Sequence, residues 1–418
     1  MPIDFSLSEA QQELQQNARR LASDVLSAAA NETHHQGTPD ERFRASRPHY
    51  RALVQAGVLR RLIPPPAGGE MTSLLDLALE AEEYMAVETS VPLSVFSTGL
   101  GLMPLLFFGD ADQLGRFLPP FLSGEGEPLA GLAFSEVGGS ANYRDSDPEV
   151  GFAATARLDG DEWVINGHKQ FVPHASGWDG SGADLLAVAV RVDPTRPPEE
   201  SMAVILVPGT AAGVTVESAL PTVGHRAALV TRIRFDDVRV PAGNLLGNVG
   251  DGIAILETAF TATAALVGAF SVGVMRHAFD VALNFARDEK RGGRVAIVEH
   301  QNVGTILADM KAKIEAARYL TWKACDYFDK TGGAGSELAI ATKIYASETA
   351  VQVVWDAMRL VGVESYTEHQ PLFEILRDTL AYPLFDGGNV GVRRLQLQRM
   401  FASPDYDPLA AMAGRPQS

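Results

Sequence analysis

The strongest constraint on this chain is a change of hydrophobic period that happens twice. Up to about residue 127 apolar residues recur at helical spacing, as in Leu14, Ala18, Leu21, Ala22, Val25 and Leu26. From about residue 128 the texture alternates apolar with polar, as in FAATARLDGDEWVINGHKQFV. After NLLGNVGDG the helical period returns and persists. A pattern of one period does not bury its apolar face in the other structure, so each switch marks a change of architecture. The reading is α+β: helical over 1–127, a small β-domain over 128–247, and a helical bundle over 248–418. A chain of 418 residues is also too long for one typical core.

Local signals fill in this frame. Ser8 with Gln11 fits a capping box. Further helices are expected over HYRALVQAGVL, Leu74 to Val87 and Val95 to Phe108, with Gly99, Gly101 and Pro104 weakening the last. LDGDEW reads as the turn of a β-hairpin, and DLLAVAVRV, AVILVP, GVTVE and VTRIRFDDVRVP as short strands. Segments 252–288, 299–330, 337–361 and about 388–402 read as long helices of a bundle. SPDYDPLAAMAGRPQS reads as a partly ordered tail.

Composition narrows the function. A net charge of −17 argues against a nucleic-acid partner or an anionic membrane surface. A single cysteine, Cys325, rules out an internal disulfide and a Cys-based metal site. No apolar run is expected to span a bilayer, and a soluble cytoplasmic enzyme is the default. GxGxxG after a strand, GxxxxGK[ST] and GxSxG are all missing. His34–His35 lies in a polar loop, and no metal site is expected.

Four stretches carry chemistry-bearing residues. LAGLAFSEVGGSAN combines a strand with Ser135, Ser140 and Asn142 around a Gly-Gly turn, whose amides and hydroxyls suit a phosphate or a heteroaromatic edge. NGHKQFVPHASGWD sets Phe171 near Pro173, a wall for a flat cofactor. Taken alone, an ordinary strand-turn and core packing are the simpler readings of these two. RGGRVAIVEHQ places Arg291 ten residues before Gln301, and a lone loop arginine is more often simply solvated. YPLFDGGNVGVRR is the sharpest. Its simple reading is a helix–helix turn shaped by Asp386 and the glycines. Its functional reading is a base under opposed pressures: the apolar Leu384 and Phe385 disfavour a carboxylate charge, and Arg393 favours it.

The order and spacing of these motifs resemble the acyl-CoA dehydrogenase superfamily over essentially the whole chain. RRLIPPPAGGE resembles its early Pro-x-x-Gly-Gly turn, and FDDVRVPAGNLLG the strand leaving its β-domain. LAFSEVGGSAN resembles its Thr-Glu-Pro flavin segment, with Ser135 in the threonine position, and NGHKQFV its Asn-Gly-x-Lys-x-Trp segment, with Phe171 in the Trp position. EHQ (299–301) and LVG (360–362) resemble segments that approach FAD across a subunit interface. The departures resemble the nitroalkane oxidases within that superfamily. Phe-Asp-Gly-Gly replaces Tyr-Glu-Gly-Thr, Ser140-Ala141-Asn142 replaces Gly-Ser-Asp, and Val361-Gly362-Val363-Glu364 replaces a Gly-Gly-x-Gly element. Aspartate is one methylene, about 1.5 Å, shorter than glutamate, which changes the carbon acid a base can reach.

The resemblance implies an N-terminal helical domain, a β-barrel-like middle domain and a C-terminal four-helix bundle. It implies an FAD-dependent oxidase that converts nitroalkanes to aldehydes or ketones, using O2 and working as a homotetramer. An acyl-CoA dehydrogenase or related α,β-desaturase is the alternative, and a non-catalytic flavin scaffold a second one. Asp386 would be the base, Arg393 its partner, and Thr263 a hydroxyl near base and flavin. Leu132, Phe134, Ser135, Ser140, Ala141, Asn142, Phe171 and Pro173 would face the cofactor, with Gly387 and Gly388 leaving it room. Arg291, His300, Gln301 and Gly362 would reach the FAD of a neighbouring subunit.

Overall fold

The computed structural model describes residues 5–33, 37–367 and 369–416, so the pair His34–His35 lies outside the described residues. Counting helices of nine residues or more, the N-terminal region holds α1 (Glu9–Leu26), α2 (Pro39–Gln55), α3 (Leu74–Met85) and α4 (Ser90–Phe108). Ser8 caps α1 in the expected reciprocal box with Gln11. A second box, Thr38 with Glu41, starts α2 earlier than its apolar pattern indicates. Pro104 does not break α4, which runs on to a cap at Gly109.

The middle region is a seven-stranded sheet: β1 (Ala130–Ala133), β2 (Thr155–Asp159), β3 (Glu162–Pro173), β4 (Leu185–Arg191), β5 (Met202–Val207), β6 (Val214–Ala219) and β7 (Val230–Pro241). The order is β1-β4-β2-β3-β7-β6, with β5 on the other edge of β4. β2 and β3 form the expected hairpin, with Asp159 opposite Glu162. Gly160, at φ +68°, takes the positive-φ position that this two-residue turn requires. β3 pairs with β7 through a bulge between Lys169 and Val172. Such a bulge re-aims a side chain, here that of Phe171 at φ +58°.

The C-terminal region is built from α5 (Gly252–Asp288), α6 (Gln301–Lys330) and α7 (Glu337–Val361), then α8 (Pro371–Thr379) and α9 (Arg394–Ala402). The three long helices pack on one another, and α3 packs onto α5, which joins the two helical regions. α8 was not foreseen: nine residues between loops give the period too little length to register. One further expectation is corrected. By length and composition α4 and α5 are apolar enough to cross a membrane, but both are mostly buried against the rest of the chain. The tail also docks: Ala410 and Ala411 are buried, Tyr406 donates to Glu337 at 2.7 Å, and Tyr327 donates to the Arg415 carbonyl at 2.7 Å.

Candidate active site

Asp386 sits where the chain leaves α8 and turns back towards α9. It adopts φ +52°, a left-handed conformation that an aspartate tolerates at a cost. Gly387 follows at φ +67°. A side chain there would be strained, and its Cβ would lie 3.1 Å from the Arg393 Nε. The absence of a side chain at Gly387 thus lets the guanidinium pack against its backbone. Residues 389–393 then form one π-helical turn, a wide turn that recurs at functional sites. It returns Arg393 to Asp386 across seven residues.

The carboxylate is held from two sides. Its Oδ1 accepts from Thr263 Oγ1 at 2.7 Å, and its Oδ2 from Arg393 Nη2 at 2.9 Å. Arg393 Nε also donates to the Asp386 carbonyl at 3.0 Å, so the arginine grips both side chain and backbone. The two side chains are 4% and 1% exposed, which removes the screening that weakens surface pairs. Thr263 comes from the first third of α5. One turn before it, the Phe260 carbonyl accepts from Arg393 Nη2 at 3.0 Å, and the guanidinium lies 5.8 Å from the Phe260 ring centroid. Gln396 takes a further N–H at 3.2 Å. Four donor contacts thus fix a buried arginine in one rotamer.

The strand-turn after β1 meets this strip. Phe134 packs edge-on against Phe260 with centroids 5.2 Å apart. A Cβ on Gly391 would come within 3.2 Å of Ala141 Cβ. Ser135 Oγ lies 3.4 Å from Ser140 Oγ, and the Ser135 carbonyl accepts from Gln170 N at 2.8 Å, beside Phe171. Leu132 and Phe134 are buried, Ala141 and Asn142 are exposed, and Phe171 is 57% exposed on its bulge. Pro173 closes β3, with its carbonyl against Gly131. A small apolar pocket adjoins Arg393 and Gly387, walled by Phe134, Leu256 and Phe260. A larger cavity of about 500 Å³, beside Arg47 and Trp178, contains none of these residues.

Arg291, His300, Gln301 and Gly362 form a separate group. Arg291 Nη2 donates to the Val361 carbonyl at 2.8 Å and to Glu364 at 3.1 Å, next to Gly362, while His300 and Gln301 are exposed at the start of α6. No hydrogen bond or ion pair between the two groups is found among the described residues.

Two buried lysines flank the site, and neither was foreseen. Lys169 Nζ pairs with Glu136 at 2.8 Å, donates to the Phe134 carbonyl at 3.1 Å and lies 4.0 Å from the Phe152 ring centroid. Burial lowers its pKa to about 8, with Glu136 pulling the other way. Lys343 Nζ donates to Asn389 Oδ1 at 2.8 Å, and burial lowers its pKa to about 7 against the pull of the Asp386 carboxylate. Lys343 had a signal: it is the one charged residue among the buried positions of α7, which otherwise hold apolar or hydroxyl side chains.

Three family models match the chain. They are the acyl-CoA dehydrogenase N-terminal domain over residues 8–125, the middle domain over 132–238 and the C-terminal domain over 250–401. The chain belongs to the acyl-CoA dehydrogenase family. Among its relatives, a nitroalkane oxidase from Podospora anserina is 42% identical and one from Fusarium oxysporum 40% identical, each covering 99% of this chain; the alignments span 99% and 98% of those proteins. A cyclohexane-1-carbonyl-CoA dehydrogenase from Geobacter metallireducens is 31% identical over 83% of this chain and 87% of its own. The structure of the Podospora anserina nitroalkane oxidase superposes with a TM-score of 0.94 at 40% identity, covering 99% of this chain and all of that one. An active-site mutant of a nitroalkane oxidase, crystallised with 1-nitrooctane, gives the same TM-score at 39% identity and the same coverage.

As a member of this family the protein is an FAD-dependent oxidoreductase, and its residues fit that cofactor. Phe171 offers an exposed aromatic face from a strained bulge, a conformation that costs free energy and needs a reason. Among the described residues the Ser135 and Ser140 hydroxyls share one long hydrogen bond, 3.4 Å, which leaves donor and acceptor capacity for a polar ring edge.

Proposed function

We propose that the protein oxidises small nitroalkanes to aldehydes or ketones, with Asp386 as the base. The observation that carries this is the buried carboxylate of Asp386, held by Thr263 and Arg393 beside the Phe134–Asn142 turn. Full-length identity of about 40% to nitroalkane oxidases supports it. A nitro group makes its α-carbon far more acidic than a thioester does, so a well-placed carboxylate suffices to remove the proton. Asp386 takes that proton, and Arg393 and Thr263 hold the carboxylate aimed through the transfer. Bound FAD supplies the acceptor for the electron pair left on carbon and delivers it to O2. For nitroethane, one O2 and one water are consumed, and acetaldehyde, nitrous acid and H2O2 are released.

The same reading makes O2 the acceptor and a homotetramer the working form. Exposed Trp355, Val363, Tyr366, Leu384 and Val390 support an association surface on the C-terminal region. The separation of the Arg291 group from Asp386 supports a site completed by a second subunit.

Anaerobic mixing of the yellow holoenzyme with nitroethane, and separately with butyryl-CoA, tests the reading. Bleaching by nitroethane, with nitrite released on aeration, is expected. Bleaching by the thioester alone would overturn it in favour of an α,β-desaturase. Bound FAD reduced by neither would favour a scaffold.

A further inference from the structure

We infer that Lys343 is a positioning residue for proton abstraction, acting through Asn389 on the turn that joins base and arginine. The inference rests on the proposed role of Asp386. The side chain of Lys343 is fully buried in the second turn of α7. Its hydrogen bond goes to a neutral amide, Asn389 Oδ1, rather than to a carboxylate. Burying an ammonium opposite an amide is costly, and a hydrophobic residue of that length would pack there at lower cost. Something about the site therefore uses the charge or the donor.

Asn389 is where that use is visible. It is the first residue of the π-turn whose last residue is Arg393. It is itself buried, and each end of its amide is occupied. Oδ1 accepts from Lys343, while Nδ2 donates to Ser347 Oγ at 3.0 Å and to Glu348 Oε1 at 3.1 Å. Glu348 is in turn clamped by Arg394, at 2.7 and 2.9 Å. One face of α7 thus presents Lys343, Ser347 and Glu348 to a single side chain at the start of the turn. The other end of the turn is fixed by Arg393 on Asp386 and on the Phe260 carbonyl. With both ends held, the Gly387–Gly388 link cannot relax Asp386 out of its left-handed conformation. The groups electrostatically coupled to Lys343 are Asp386 and Glu348, which favour its charge, and Arg393, which opposes it.

The test uses FAD-loaded Lys343→Met and, in parallel, Asn389→Ser. The neutral substrate needs Asp386, whereas preformed ethyl nitronate has already lost its proton. We expect kcat/KM for nitroethane to fall about 100-fold in either variant and for the nitronate to change less than about twofold, the scale of a base displaced by an ångström. Hydrogen exchange of the amides in residues 387–394 should be faster in both variants at unchanged flavin content. If Lys343→Met does not fold, Asn389→Ser is read in the same way. Equal losses on both substrates, or unchanged exchange in 387–394, would overturn the inference. If the wild type itself does not turn over nitroethane, the proposed function fails, and the exchange measurement alone decides whether Lys343 positions the turn.

Discussion

Asp386 and Glu136 are both buried carboxylates paired with a buried cation, yet they are built for different work. Glu136 accepts from Lys169 Nζ at 2.8 Å and from two rigid backbone donors, Ala153 N at 2.7 Å and Ala154 N at 3.0 Å. Among the described residues Asp386 accepts from two side chains, one to each oxygen. A carboxylate has about four lone-pair sites, so Asp386 keeps more acceptor capacity for a substrate proton. Glu136 ties the turn after β1 to β3, while Asp386 is presented on strained backbone by donors that come from α5 and the π-turn. The difference is one of anchoring against presentation. A buried ion pair alone does not mark a base; the spare acceptor capacity of Asp386 is what supports its proposed role.

Four measurements break or sharpen this contrast. Asp386→Asn keeps the shape and removes the proposed base. Flavin reduction by nitroethane should fall about a thousandfold, while reduction by ethyl nitronate persists. Equal loss with both would return Asp386 to the anchoring class. Glu136→Gln should instead act on stability, by about 3 kcal/mol in denaturant unfolding, because it leaves Lys169 buried without its counter-charge. Flavin retention should drop with it, and a well-folded variant slowed only in proton abstraction would erase the distinction.

The third concerns pH. Lys169 titrates near 8 in the folded chain and near 10.4 unfolded. Between those values the unfolded chain holds a proton that the folded chain has released, so stability rises with pH there. The unfolding free energy of the wild type relative to Lys169→Met should therefore climb by on the order of 2 kcal/mol from pH 8 to 10. A flat difference would mean that Glu136 keeps the lysine charged throughout. The smallest effect is expected for Thr263→Ala. Losing one hydrogen bond to the carboxylate should lower kcat/KM for nitroethane about tenfold, with Thr263→Ser restoring it.

Much of the fold was legible because periodicity is a local property. Helices α5 and α7 begin and end where their patterns do, and the β2–β3 hairpin follows from its Gly-Asp turn. The short α8 and the docked tail were not legible. Nine residues carry little periodic signal, and docking of the tail depends on Tyr327 and Glu337, about 70 to 90 residues away. At the site, Asp386, Arg393 and Thr263 came from motif resemblance. Phe260 enters through its backbone carbonyl, an atom every residue has, so no sequence signal could single it out. Lys343 could have been found as the one charge among the buried positions of α7, but its partner Asn389 lies 46 residues away.

By itself the sequence determined three regions, the turn chemistry around Asp386 and an acid that departs from the family's glutamate. Those follow from local propensity and from residue identity. Only the tertiary structure decided that Gly387 makes room for Arg393, that a π-turn closes the acid–arginine pair, and that α5 and α7 grip it from opposite ends. Such facts depend on which distant side chains share one buried, low-dielectric volume, where a misplaced charge is costly and a well-placed one is fixed.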